Sequence, residues 1–392
     1  MALKIGRDVR RTSQIIIALF FFEALSRCIL LAIIPLELLS KLQTLQHVTW
    51  FYAAVAIFGL GNSLVVPLIF NKFGGRTVIA LSGLLLILAA ISISTGSLLG
   101  IAFGIICRIL GSACVEIPLT TLLMIHVPRD RLGEIEPRRV FILAIAAVPS
   151  PWVGLYLRDH VVTNLPFAIA AFAGLILMVL AVIALDTFRG EMRPTTSNHT
   201  LYTPYARFFA QPRLRLAWLL VVIRASFWAM FQVYAPIFSI ASGWSESMAA
   251  GLVSLGNMGV LLVPIWGQLV RRFGMRMILI IGYALGGILL IVTAAATVFF
   301  PREAPLVLLA AAMCFTLLDG VGNVIFMRAT RPHQRSAATA VFLTYRDFSQ
   351  LAPNALFALI LVFSPLSAAF AVLGTILLAA ANLSRSIHPR LR

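Results

Sequence analysis

The chain alternates long apolar runs with short polar breaks. The runs cover 13–36, 48–70, 77–95, 98–124, 139–158, 165–186, 214–240, 247–270, 277–299, 305–328, 338–361 and 366–384. Each comes close to the roughly 20 apolar residues that carry a helix across the hydrocarbon core. Several of the breaks are only a few residues long, as at Thr95–Ser97 and Ser364–Pro365, and short links force antiparallel neighbours. The longest polar stretch, Thr187 to Arg213, holds Pro194, Ser197, Asn198, Pro204 and Pro212, and it divides the runs six and six. The expected organisation is therefore 1–186, a cytoplasmic linker over 187–213, and 214–392.

The two halves repeat one another. Lys72-Phe73-Gly74-Gly75-Arg76 follows the second run, and Arg272-Phe273-Gly274-Met275-Arg276 follows the eighth. Pro35 matches Pro236, and Pro149 matches Pro353. Val127-Pro128-Arg129-Asp130-Arg131 matches Arg331-Pro332-His333-Gln334-Arg335. Internal repeats of this kind are how many transporter folds are built. The pattern predicts an all-α membrane protein of twelve transmembrane helices in two pseudo-symmetric six-helix bundles.

Composition agrees: 60% of residues are hydrophobic and 11% charged. The net charge of +17 would suit a nucleic-acid binder, but its distribution argues against that partner. With the N-terminus inside, about 24 of the Lys and Arg residues fall in cytoplasmic segments, and the other side keeps Lys41, Arg158 and Arg302. Basic charge here orients the chain, with both termini cytoplasmic, and meets anionic lipid heads. Cys28, Cys107, Cys114 and Cys314 all lie within apolar runs, without metal-ligand spacing, and read as packing residues. The first run is too long for a cleaved signal peptide. The sequon at Asn198-His199-Thr200 falls on the cytoplasmic side.

On these repeats the chain resembles the major facilitator superfamily over its whole length. That family's loop after helix 2 reads Gly-x-Leu-x-Asp-Arg-x-Gly-Arg-Arg. The second copy keeps Gly267, Leu269, Arg272, Phe273, Gly274 and Arg276; the first keeps Lys72, Gly74 and Arg76. The family's acid is replaced by Asn71 and Arg271, which puts the usual cytoplasmic latch in doubt. Arg108 with Gly111 resembles the family's helix-4 arginine and glycine. Ser150-Pro151-Trp152-Val153-Gly154 keeps part of the exporter motif of helix 5. The resemblance implies that helices 1, 4, 7 and 10 line a central cavity bordered by helix 11.

Ionisable residues at bilayer depth are costly and mark function by default. They are Glu23 and Arg27 in run 1, Arg108 and Glu116 in run 4, Arg224 in run 7, Asp319 in run 10, and Arg346 and Asp347 in run 11. Four acids face four bases, so the interior is near neutral. Glu23 and Arg27, four apart, share a helix face and read as an internal ion pair or as a proton-sensitive acid beside a substrate anchor. Aligning Pro35 with Pro236 also permits Arg224 to meet Glu23 across the halves. Arg108, Ser112, Glu116 and Thr120 form a polar stripe for a cavity or a neighbouring helix. Asn323 extends Asp319 on run 10, and Trp228 and Gln232 extend Arg224 on run 7. Phe227, Trp228, Phe231 and Tyr234 are either core or an apolar substrate surface. A pair between Asp319 and Arg346 would join runs 10 and 11. Arg76, Arg272 and Arg276 are gating candidates. All six histidines lie in loops or at helix ends, so a carboxylate must carry any coupled proton.

The expected function is secondary active transport of a small organic solute, anionic or zwitterionic and amphipathic, by alternating access. No P-loop is present, so no cofactor is expected and a proton gradient would supply the energy. Expected substrate contacts are Arg27, Arg108, Arg224, Trp228, Gln232 and Asn323; expected proton carriers are Glu23, Glu116 and Asp319; Arg346 and Asp347 are interhelical pairs. The alternatives are a multidrug–proton antiporter and, from another class, a non-transporting membrane receptor or scaffold. An enzyme is disfavoured because no metal cluster or nucleophile–base set lies at membrane depth. A monomer in the bacterial inner membrane is expected.

Overall fold

A computed structural model describes residues 2–59, 62–126, 140–184, 202–321, 323–330, 338 and 341–387. The described elements are helices. Ten segments among them are long and apolar enough to cross a membrane. These are α1 (Gln14–Leu42), α3 (Gly75–Ser94), α4 (Leu98–His126), α5 (Val140–His160), α6 (Leu165–Ala184), α7 (Pro212–Ala241), α8 (Glu246–Phe273), α9 (Met275–Phe299), α10 (Ala304–Phe326) and α12 (Leu366–Leu383). The runs expected at 48–70 and 338–361 are also helical, as α2 (Leu45–Gly59, then Asn62–Phe73) and α11 (Tyr345–Phe363). The first helix begins at Ala2, well before the apolar run. The Val127–Arg131 and Arg331–Arg335 repeat and most of the linker lie outside the described residues.

The internal repeat has a geometric counterpart. Gly74 and Gly274 sit between α2 and α3 and between α8 and α9 with φ of 80° and 83°. Each donates its N–H to the carbonyl four residues back, at 2.9 Å. A side chain is strained at positive φ, which accounts for glycine at both turns. Lys72 lies over the Phe73 ring at 5.3 Å, and Arg272 over Phe273 at 5.4 Å. Thus the two basic turns share backbone conformation as well as letters.

Within each half the same crossings recur. α3 packs on α4 and α6, and α9 on α10 and α12. A Cβ at Gly83 would lie 2.5 Å from the Gly174 carbonyl oxygen, and one at Gly287 would lie 2.8 Å from that of Gly374. Small residues at such crossings let backbones meet, which stabilises helix pairs where lipid offers no hydrophobic drive. The opposite faces carry exposed Leu84, Leu88 and Ile91 on α3, Phe172, Leu175 and Val179 on α6, and Leu285, Ile288 and Val292 on α9. Their spacing of three or four makes an apolar stripe on each helix, suited to lipid.

The halves meet through α2 on α11, α5 on α8, and the last ten residues of α1 on α7. α1 is interrupted after Cys28 and resumes at Ile33. Its turn is crossed by α5 so closely that a Cβ at Gly154 would lie 2.0 Å from the Ile29 carbonyl oxygen. Gly154 is the surviving glycine of the helix-5 motif, and its need is steric. Pro149 and Pro353 differ in role: the first caps the second part of α5, the second lies inside α11. α8 and α10 each contain a short 3₁₀ segment, Gly259–Leu262 and Thr316–Gly320. Trp266 Nε1 donates to the Gly259 carbonyl at 3.3 Å and to Thr316 Oγ1 at 3.1 Å, tying the two together.

Candidate functional site

A cavity of about 120 Å³ lies between α1, α2 and α4 of the first half and α7 and α11 of the second. That is room for several waters or a small solute group. Its polar wall comprises Arg27, Tyr52, Arg108, Ser112, Gln232, Arg346, Asp347, Gln350 and Asn354, and its apolar wall includes Leu31, Val55, Ile109, Ile117 and Val233.

Each arginine of the wall is held differently. Arg27 donates from Nε to Glu23 Oε1 at 3.0 Å, one helical turn away. The same oxygen accepts from Ser112 Oγ at 2.5 Å, so α4 buttresses the α1 pair. Arg346 of α11 forms an ion pair with Glu116 of α4, bridging the two halves. Arg108 has no acid partner among the described residues, and its Nη1 is buried with no hydrogen-bond partner. A buried unpaired donor on a cation costs several kcal/mol unless something fills the demand. Arg108 Nη1 is thus a buried donor left unsatisfied among the described residues.

The second half contributes neutral polar groups. Tyr234 donates its hydroxyl to Asn354 Oδ1 at 3.0 Å, and Asn354 donates Nδ2 to the Gln350 carbonyl at 2.7 Å. This fixes the rotamer of Asn354 at the cavity edge. Gln232 reaches the wall from α7.

Several expected site residues stand elsewhere. Arg224, Trp228, Asp319 and Asn323 do not line this cavity; they form a network inside the second half. Arg224 contacts Asp319 at 3.9 Å and donates to the Leu318 carbonyl at 3.3 Å and to Asn323 Oδ1 at 3.2 Å. The Trp228 side chain hydrogen-bonds Asp319. The reason is the 3₁₀ segment in α10, which turns Asp319 toward α7 of its own half. The Asp319–Arg346 pair is thus replaced by two others, Asp319–Arg224 and Glu116–Arg346. Nor does Glu23 meet Arg224 across the halves; the nearer Arg27 takes it. Phe227, Phe231 and Tyr234 are fully buried, with Phe227 stacked on Phe315 at 3.9 Å, so they are core and not a substrate surface. Arg76, Arg272 and Arg276 sit at the α2–α3 and α8–α9 turns. The side chain of Thr120 lies outside the described residues.

Tyr52, Gln350 and Asn354 were not singled out in the sequence. Gln350 and Asn354 follow Asp347 by three and seven positions, a helical stripe that could have been read. Tyr52 carried no such signal. The cysteines are free, with Cys28, Cys107 and Cys114 buried in packing.

A helical bundle of many spans enclosing a charged cavity between two similar halves defines a multi-pass membrane transporter. The sequence model of the Major Facilitator Superfamily matches residues 139–353, and the chain belongs to that family. A search of curated proteins gives no match. Among solved structures, the chain is similar to a POT family transporter in complex with 5-aminolevulinic acid: 14% identity, 97% of this chain and 96% of that one covered, TM-score 0.79. It is also similar to a bacterial homologue of the human drug peptide transporters PepT1 and PepT2: 12% identity, 98% and 99% covered, TM-score 0.72. A third is a nucleoside transporter: 12% identity, 96% and 99% covered, TM-score 0.69. At these identities the likeness shows the fold.

Proposed function

We propose that this transporter carries a small organic solute bearing a carboxylate or similar anionic group, as an anion or a zwitterion, coupled to protons. The observation that carries the reading is the trio Arg27, Arg108 and Arg346 on one cavity wall, with the buried Nη1 of Arg108 unpartnered. Arg27 and Arg346 are each paired with an acid, so the group a bare organic cation would oppose there is Arg108. The fold-level neighbours are compatible: one holds 5-aminolevulinic acid, and another is a peptide transporter in complex with sulfate.

Residues 1–186 and 214–392 would rock about the cavity, with 187–213 as a cytoplasmic linker. Arg108 anchors the anionic group, Arg27 and Gln232 contact the solute, and Glu116 or Glu23 carries the proton. Asp319 is a further candidate carrier, acting from within the second half through Arg224. The protein would work as a monomer in a bacterial inner membrane, with both termini cytoplasmic.

The test is uptake into proteoliposomes across an imposed pH gradient, using labelled 5-aminolevulinic acid, N-acetylglycine and the cation ethidium. Accumulation of either carboxylate that collapses with the gradient supports the reading. Ethidium flux with no carboxylate flux would make the protein a drug–proton antiporter. No gradient-driven flux of any of them would favour a receptor or scaffold.

A further inference from the structure

The acids at membrane depth are engaged, and few of them reach the cavity. Glu23 holds Arg27 and accepts from Ser112, Glu116 pairs with Arg346, and Asp319 faces Arg224 inside the second half. Of the four acids, only Asp347 lines the wall, where it is buried and already makes an interaction of its own. Arg108 of α4, in the first half, keeps its buried Nη1 donor unsatisfied. The wall therefore has a donor for an anionic group but no unengaged acid for an ammonium.

The second half offers neutral amides instead. Gln232 reaches the wall from α7, half-buried, and its amide makes no hydrogen bond among the described residues. A primary amide carries two N–H donors and a carbonyl acceptor, all of them available at Gln232. Asn354 of α11 is partly occupied: Oδ1 accepts from Tyr234, and Nδ2 donates to the Gln350 carbonyl. A solute group that enters beside Gln232 must leave water. An amide or hydroxyl exchanges its water hydrogen bonds for those of Gln232 at small net cost. An ammonium gives up far more hydration and needs a nearby carboxylate to recover it. The guanidinium of Arg108 on the same cavity adds repulsion.

We propose that the solute carries, besides its anionic group, a neutral hydrogen-bonding group such as an amide or hydroxyl that Gln232 recognises, and that the cavity rejects an ammonium in that place. The inference rests on the transport reading above and narrows it to N-acyl or hydroxy carboxylates over amino-acid-like zwitterions. Gln232 is then a specificity-determining residue. Acceptance comes from its unoccupied amide, and rejection from the missing counter-charge.

The test is isothermal titration of the purified full-length protein at pH 6 with N-glycolylglycine and glycylglycine. These differ in a terminal hydroxyl against a terminal amine and are otherwise alike. The amine, with an ordinary pKa of about 8, is charged at that pH. The wild type should bind N-glycolylglycine at least about tenfold more tightly. Gln232→Glu puts a carboxylate in nearly the same shape and should shrink that ratio by about tenfold or invert it. Gln232→Leu suits a membrane helix and keeps the inference testable where the acid variant does not fold. It should weaken N-glycolylglycine by about fivefold or more, and butanoate, which has no second polar group, by less than about twofold. A smaller wild-type preference, or a preference for glycylglycine, means that an acid such as Asp347 serves the ammonium; this overturns the inference and leaves carboxylate transport standing. So does a ratio that Gln232→Glu leaves unchanged, or equal weakening of butanoate in Gln232→Leu. If none of the three carboxylates binds, and none is taken up by proteoliposomes, the transport reading itself fails.

Discussion

Arg158, at the end of α5, should act as a latch on the side of the bundle where α1, α5 and α7 finish. Its Nη2 donates to Glu246 Oε2 of α8 at 3.0 Å, its Nε to Asp159 at 2.8 Å, and its Nη1 lies 3.9 Å from Glu37 of α1. Only the Glu246 arm joins the two halves, so only that arm bears on their separation. The Arg158 side chain is 16% exposed but Glu246 is 54% exposed. Solvent screening therefore places the pair within the ~0.2–1 kcal/mol measured for surface bridges. At about 0.7 kcal/mol, removing it would raise the fraction of molecules parted at this end about threefold. The remainder of the closure is apolar: Ile33, Ile34, Ile237 and Ala250 form one buried cluster across the halves. The shift should accordingly be modest. Spin labels on cysteines at Val162 and Met248, both exposed on either side of this seam, would report it as growth of a longer-distance population. Arg158→Gln and Glu246→Gln should give the same increase, and the double variant no more than either, because one contact is lost only once. High salt should reproduce part of the effect. Unchanged distances in Arg158→Gln, or additive effects in the double variant, would refute the latch.

Other expectations are more local. Gly287→Val should cost several kcal/mol, or abolish folding in detergent, because its Cβ would press on the Gly374 carbonyl oxygen at 2.8 Å; thermal melting of the purified protein checks this. Gly274→Ala should destabilise by about 1–2 kcal/mol from backbone strain alone at φ 83°, since nothing lies within 4 Å of the added carbon. Gly267→Ala meets equally open space inside a helix and should be neutral or slightly stabilising in the same melting assay. Ser112→Ala removes the α4 hydrogen bond to Glu23 and should cost about 1.5–3 kcal/mol, the range for a bond to a charged group; an unchanged melting temperature would count against that bond. Arg108→Gln should weaken N-acetylglycine binding by more than about tenfold in isothermal titration while leaving the melting temperature of the empty protein equal or higher, because a buried unsatisfied charge has been removed.

Much of this fold was readable before any coordinates. Hydrocarbon thickness dictates run length, so helices announce themselves by the absence of charge. Duplication writes the same turn twice, and Gly74 and Gly274 adopt one conformation because their neighbours are alike. Ionisable residues at depth stood out for the same reason, since each is expensive to insert. What the chain alone left open was which acid meets which base. Glu23 found Arg27 because a helical turn brings them together, a contact that any α-helix would make. The pairing of Glu116 with Arg346, 230 positions apart, depends on how one half rests against the other. Asp319 turned inward to Arg224 because α10 tightens into 3₁₀ geometry, for which the residues carry no clear mark. Sequence spacing thus determines contacts within a helix, where the geometry is constant. Partners across helices are chosen by packing, and packing also decides that Arg108 is left facing the cavity with a donor to offer.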